Sequence, residues 1–335
     1  MIKYIKQLYV LLLIGISIQV TAQPRNRANF NQDWKFFPGD RTGAEKPTFY
    51  DGDWRKLNLP HDWSIEGDFK KEHPATNQGG ALPGGIAWYR KTFKTPEGAA
   101  GKSVSVHFDG VYKNSEVWIN GHFLGKRPNG YISFEYDIAP YLHWDNKENV
   151  IAVRVDNSAQ PDSRWYTGSG IYRNVYLITT NKIAIDKWGV YYYTPQVTEA
   201  KASLHHEVTI RNKDGQNTNL RVEVSVLDES GNSVAVNSKA FALGSDSMLV
   251  SQDLEISGPH LWSVDDPYLY SVSTKVFQGD QLLDEKKSHL GVRYFNFDAE
   301  KGFSMNGKRM KILGVCLHHD LGALGAAVNV RAMER

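Results

Sequence analysis

The chain has 335 residues, 41% of them hydrophobic and 23% charged, which are the values of a globular protein of two or more domains and exclude general disorder. Its formal net charge of +2 falls to about zero without Lys3 and Lys6, and no basic run elsewhere points to a nucleic-acid partner. Cys316 is the only cysteine, so no disulfide framework exists and stability must come from large cores.

The chain opens with Lys3 and Lys6, an apolar run over residues 8–20, and Thr21-Ala22 before Gln23. A basic start, an apolar stretch and small residues form a secretory leader, with cleavage expected after Ala22. Thirteen apolar residues are too few to span a bilayer as a helix. No cysteine stands at this site to carry a lipid. The expectation is a periplasmic or secreted protein with no membrane span once residues 1–22 are gone.

Residues 30–180 read as strands. The stretches 104–108 and 116–119 alternate with period two, 150–155 is rich in β-branched residues, and 175–178 is a further apolar run. Gly, Asn and Pro punctuate them, which argues for a β-sandwich over residues 23–182. Asn120-Gly121 predicts a type I′ hairpin, a turn that needs positive φ at both central residues. A second β-rich unit is expected over residues 183–295, with strands at 204–210, 220–227 and 268–276. Its length and strand spacing suit an immunoglobulin-like sandwich without the cysteine pair.

Residues 296–335 begin a third unit. A hairpin at 303–307 leads to a predicted strand at 310–315, and the polar cluster His318-His319-Asp320 follows. In a (β/α)₈ barrel, strand C-terminal ends carry the ligand-contacting residues. Only fifteen residues follow Asp320, against the roughly 250 that a barrel needs. The expectation is therefore the first strand of a truncated barrel, loosely packed from about residue 300 onward, because a parallel strand is normally buried on both faces. Cys316 is expected to be a buried small hydrophobe. Asn329 is placed to cap a helix opening at Val330, although six residues are too few to hold a helix alone.

Five blocks in order carry a family resemblance. They are Leu59-Pro60-His61-Asp62-Trp63 with the preceding Trp34 and Trp54; Gly85-Ile86-Ala87-Trp88-Tyr89-Arg90-Lys91; Val117-Trp118-Ile119-Asn120-Gly121 with Gly130-Tyr131 and residues 134–138; Trp165-Tyr166-Thr167-Gly168-Ser169-Gly170-Ile171-Tyr172-Arg173; and Leu290-Gly291-Val292-Arg293 with residues 306–320. Together they resemble glycoside hydrolase family 2, which includes β-galactosidases, β-glucuronidases and β-mannosidases. The resemblance implies an all-β chain: a jelly-roll sugar-binding-type sandwich, an immunoglobulin-like sandwich, then the first strand of a (β/α)₈ barrel. His318-His319-Asp320 is most similar to exported bacterial β-galactosidases, since the β-glucuronidase branch usually carries His-Glu-Asp there. The implied substrate is a terminal β-galactoside of an oligosaccharide or glycan. The alternatives are the other two activities of the family, or a non-catalytic carbohydrate-binding or structural module.

Retaining glycoside hydrolysis needs two carboxyl groups about 5–5.5 Å apart. The resemblance places both on late barrel strands, so no catalytic residue is assigned within residues 1–335. Glu66, Glu116 and Glu135 are read as solvated sandwich carboxylates. Three residues are expected to bind substrate. His318 ends the expected strand and matches a sugar-contacting His, the alternative being a loop-packing His. Asp156 matches an Asp of the first sandwich that reaches the sugar and a sodium ion, the alternative being a strand-ending Asx turn. Asn77 matches another sandwich contact. His319 and Asp320 are candidate positioning groups for the imidazole. Trp88-Tyr89 and Trp165-Tyr166 are read as packing rather than sugar platforms. No metal site is assigned and no cofactor is required here; the resemblance implies sodium or magnesium, and a homo-oligomer, for a full-length enzyme.

Overall fold

The computed structural model describes residues 24–318 and 320–335. The expected leader and His319 lie outside the described residues. Two antiparallel sheets form the first sandwich. One has the order Arg25–Asn29, Val175–Thr180, Ser103–Phe108, Phe134–Asp137; the other runs Arg55–Leu57, Trp34–Pro38, Gly85–Lys94, Glu148–Asn157, Ser115–Ile119, His122–Arg127. Inward residues of both sheets, among them Trp34, Val106, Phe108, Val117, Ile151 and Val153, share one core. Each such side chain stabilises by about 1.5–3 kcal/mol on full burial. The Asn120-Gly121 turn has φ of +48° and +81° and joins Ile119 to His122, as a type I′ turn requires. The Asn120 side chain also accepts from Val150 N–H at 2.8 Å, which ties the turn to the next strand.

Seven antiparallel strands form the second sandwich. Ile183–Val197, Lys201–Asn212 and Met248–Ser257 make one sheet; Ser233–Leu243, Thr218–Leu227, Tyr270–Gln278 and Gln281–Leu290 make the other. This is an immunoglobulin-like arrangement closed by Leu204, Val208, Ile210, Val222, Val224 and Val272. Period two also turns His206 inward, where it is fully buried and its Nε2 meets Thr274 Oγ1 at 2.9 Å. Burial pushes this imidazole down to about 4.

The sandwiches are locked together at the outer face of the four-stranded sheet. Arg25 donates from Nε and Nη2 to the two oxygens of Asp284, at 3.0 and 2.7 Å. Asp284 is completely buried and also accepts from Ile185 N–H at 2.8 Å. Asn181 Nδ2 bonds Leu283 O at 2.6 Å, and Arg211 Nη2 bonds Thr180 Oγ1 at 3.0 Å.

The last segment departs from expectation. Phe295–Asp298, Gly302–Met305 and Lys308–Arg309 form a small sheet, with Asn306 and Gly307 at positive φ in the turn. Residues 310–318 are extended chain without a ladder, so the predicted strand at 310–315 does not form. No strand lies beside it among the described residues, and an apolar strand cannot hold its place without neighbours. Leu313 is 88% exposed and Cys316 is exposed rather than buried. Loose packing does not extend to the end, however: Ala326 and Ala327 are buried, and Asn329 caps the Val330–Met333 helix by accepting from Ala332 N–H at 3.3 Å. No described helix is long and apolar enough to cross a membrane.

Two outcomes follow. Arg25→Met strands a buried carboxylate and is expected to cost about 3–5 kcal/mol, measured by urea unfolding. A His held below its unfolded value stabilises the fold above that value and loses the contribution as pH falls. Stability is therefore expected to drop by about 3 kcal/mol between pH 6.5 and pH 4, and His206→Gln to remove that slope.

Candidate functional site

The block His61-Asp62-Trp63 runs alongside Ser169-Gly170-Ile171, with His61 N–H donating to Ile171 O at 2.9 Å and Trp63 N–H to Ser169 O at 3.0 Å. This places Asp62 at the meeting point of three segments. It is 2% exposed. Its Oδ1 accepts from Ser64 N–H at 3.0 Å and Ser169 N–H at 2.8 Å; its Oδ2 accepts from Tyr166 Oη–H at 2.6 Å and Ala326 N–H at 2.8 Å. Four donors saturate a buried carboxylate that has no cationic partner among the described residues. The charge beside it, together with burial, pushes the Tyr166 hydroxyl well above its ordinary range, burial being the larger cause.

Glycine is required for this approach. Gly168 and Gly325 have φ of +66° and +58°, and a Cβ at either would lie 2.5 or 2.3 Å from Asp62 Oδ2. Asp62 thus pins the segment that follows His318 onto the first sandwich. Around it, Ser64 Oγ–H donates to Ser169 Oγ at 2.7 Å, and Asn157 Nδ2 donates to Gly168 O at 3.0 Å and Ser169 Oγ at 2.7 Å.

Beside the clamp, His61 Nδ1 lies 2.8 Å from Tyr89 Oη, and its Nε2 lies 3.0 Å from Arg55 Nη2 and 3.2 Å from Glu66 Oε1. Burial pulls the imidazole below its ordinary value against the opposing pull of Glu66. Arg55, Glu66, Phe36, Trp63 and Ile86 line an open cavity of about 560 Å³.

The three expected substrate contacts are not brought into mutual contact among the described residues. His318 is exposed, and its ring lies 5.4 Å from that of Trp165. Trp165 is 39% exposed and donates from Nε1 to Tyr131 Oη at 3.1 Å. Trp165 thus packs where the first sandwich meets the segment pinned by Asp62, and the Trp165–His318 pair remains open to solvent on one side. Trp88 and Tyr89 are core side chains, Trp88 stacking on Trp118 at 5.3 Å. Asp320 bonds His318 only through its backbone, N–H to O at 2.6 Å.

Asn77 is exposed in the turn after Thr76, where its carbonyl accepts from Gly80 N–H at 3.5 Å. Asp156 ends a strand and caps the following turn, accepting from Ser158 N–H at 3.1 Å and Ser158 Oγ–H at 2.6 Å, with Arg154 Nη1 at 3.5 Å. Its inward neighbour Asn157, not Asp156, meets Gly168 and Ser169. One Asp156 oxygen is thus taken by Ser158 and the other faces Arg154.

The three carboxylates read as solvated divide. Glu66 pairs with Arg55 at 2.7 Å and Glu116 with Lys126 at 2.9 Å. Glu135 is corrected: the second sandwich covers it, leaving its side chain 14% exposed. Burial pushes its carboxyl up, but His107 and Ser105 more than offset this and hold it down to about 2.

Residues 73–181 match the description "Glycosyl hydrolases family 2, sugar binding domain", and residues 184–293 match "Glycosyl hydrolases family 2". The chain is similar to a beta-galactosidase of Bacteroides ovatus, 52% identical over 93% of this chain and 37% of that protein. It is also similar to a beta-glucuronidase of Formosa agariphila, 32% identical over 88% of this chain and 32% of that protein. Among solved structures, a family 2 member from Bacteroides cellulosilyticus superposes with a TM-score of 0.88 at 39% identity, over 92% of this chain and 40% of that one. The chain thus spans less than half the length of each of these relatives.

Asp62→Asn turns a donor toward groups that are themselves donors. It is expected to cost about 2–3 kcal/mol, with faster amide exchange at Ala326 and Val328 as the local readout.

Proposed function

Because the chain belongs to glycosyl hydrolase family 2 and carries its sugar-binding domain and the domain that follows, we propose that it is part of a retaining glycosidase that removes terminal β-galactosyl residues from glycans. The observation that carries this reading is the 52% identity with a beta-galactosidase across 93% of the chain. The residues His318-His319-Asp320, where the β-glucuronidase branch usually has His-Glu-Asp, favour the same choice.

In this reading His318 and Trp165 form one wall of the sugar pocket. The imidazole exchanges hydrogen bonds with ring hydroxyl groups, and the indole offers a flat apolar surface with a polar edge already anchored on Tyr131. Asp156 and Asn77 are kept as further sugar contacts of the first sandwich. Asp62 touches no sugar; it positions His318 by holding the chain that follows. Glu66, Glu116 and Glu135 are tied to Arg55, Lys126 and His107, so none is free as a proton donor or nucleophile. The two carboxyl groups that retaining hydrolysis requires belong to other parts of the whole protein, and residues 1–335 do not hydrolyse alone. The apolar run 8–20 supports export to the periplasm or medium.

The 32% identity with a beta-glucuronidase supports a second reading, acid-sugar specificity in the same site. Assay on 4-nitrophenyl β-galactoside and β-glucuronide separates the two. The intact protein is expected to favour the galactoside by at least ~100-fold in kcat/KM, and residues 24–335 alone to give no turnover. His318→Ala is expected to lower kcat/KM of the intact protein by about 10–100-fold without shifting its unfolding midpoint. A preference for the glucuronide would reject the galactoside assignment, and undiminished kcat/KM in His318→Ala would reject the role given to that residue.

A further inference from the structure

The outer face of the four-stranded sheet carries Arg25, Arg27, Ser105, His107, Thr180 and Glu135 in register. The second sandwich lies against this row, where Thr180, Ser105 and His107 are buried and the Arg27 side chain is 51% exposed. Between the two lies a cavity of about 490 Å³, within the usual size of small-ligand sites. Six cationic side chains line it, Arg25, Arg27, Lys187, Arg211, Lys286 and Lys287, against three carboxylates. Arg25 pairs with Asp284 at 2.7 Å, Arg27 with Asp109 and Arg211 with Asp186 at 3.7 Å, and Lys287 with Glu285 at 3.8 Å. Lys187 and Lys286 donate to the backbone carbonyls of Ser133 and Asp186, at 3.4 and 2.7 Å, and pair with no carboxylate among the described residues. Arg211 Nε is buried with no hydrogen-bond partner. Burial, then the charge of Arg25, lower Lys286 to about 8.

Trp188 stands at the rim of this cavity. It sits in a β-bulge between Ile185 and Val190, has φ of +52°, and is 67% exposed. A bulky residue in the left-handed region is strained, and the flexible Gly189 is its immediate neighbour. Core packing does not explain the strain, because the ring is in solvent. Bulges serve to re-aim a side chain next to sites, and this one presents an open ring with Lys187 Nζ 4.4 Å from its centroid.

We propose that this seam cavity is a non-catalytic site for an acidic saccharide, whose carboxylate or sulfate sits among Lys187, Arg211 and Lys286 while its pyranose face lies on Trp188. The anionic character follows from the cavity itself; that the ligand is a saccharide rests on the family reading above. The site is remote from the Trp165–His318 pair in its contacts and would hold the protein on an anionic glycan while that pair works elsewhere.

Calorimetric titration of the 335-residue chain tests it, with four probes: oligogalacturonate, a sulfated galactan oligosaccharide, neutral galactotetraose, and sodium sulfate. At least one acidic series is expected to bind ~10-fold or more tighter than galactotetraose and sulfate, and the series that binds names the anionic group. Trp188→Gly is expected to weaken binding ~10-fold while keeping or raising the unfolding midpoint, since glycine adopts this φ without strain. Lys187→Met with Lys286→Met is expected to abolish the preference for acid. His318→Ala is expected to leave this binding unchanged, which separates the seam site from the glycosidase pocket. Equal binding of the neutral sugar, equal binding of sulfate (an adventitious ion only), or unchanged affinity in Trp188→Gly would each overturn the proposal.

Discussion

A single buried carboxylate organises the face of the first sandwich on which His318 lies. Asp62 is accepted into the interior only because four donors from three segments converge on it: Ser64 and Ser169 amides, the Tyr166 hydroxyl and the Ala326 amide. An unpaired carboxylate is costly to bury, so all three segments must be in place at once. That requirement explains Gly168 and Gly325, where no Cβ fits. It also explains why a segment that makes no ladder of its own still has a defined position.

The contact between the two sandwiches obeys the same physics with the opposite partner. Asp284 is buried against Arg25 and the Ile185 amide, a bidentate pair whose fork geometry sets orientation as well as attraction. The rest of the outer face is polar because sandwich strands alternate, and only part of it is covered. Charges that would be solvated on a free sheet are left in a half-enclosed space, Glu135 among them, and their balance is positive.

The open Trp165–His318 pair combines a flat apolar ring with a titratable hydrogen-bonding group at the surface of a domain matched as sugar binding. Neither residue is held by the core. Both are placed through neighbours: Trp165 by its bond to Tyr131, His318 by the clamp a few residues beyond it.

Local sequence rules determined the two sandwiches. Period-two alternation at 104–108, 150–155, 204–210 and 220–227 and the Asn120-Gly121 turn act within a few residues, and the strands at those places follow. Ser233–Leu243 is an edge strand with mostly exposed side chains, so its alternation carried no signal. The family blocks were equally legible, because each is a contiguous run. Tertiary structure alone decided the rest. An apolar run at 310–315 reads as a strand, but a strand exists only where a partner lies beside it, and none of the described residues supplies one. Asp62 gave no sign of its role in sequence, because its donors lie 2, 104, 107 and 264 positions away. Trp165 read as packing, but its partner His318 lies far off in the chain; Glu135 read as solvated and is covered by another domain; and Trp188 shows its strain only through its φ. Sequence specifies what each residue can do; burial and the company it keeps are long-range properties, and those assign the work.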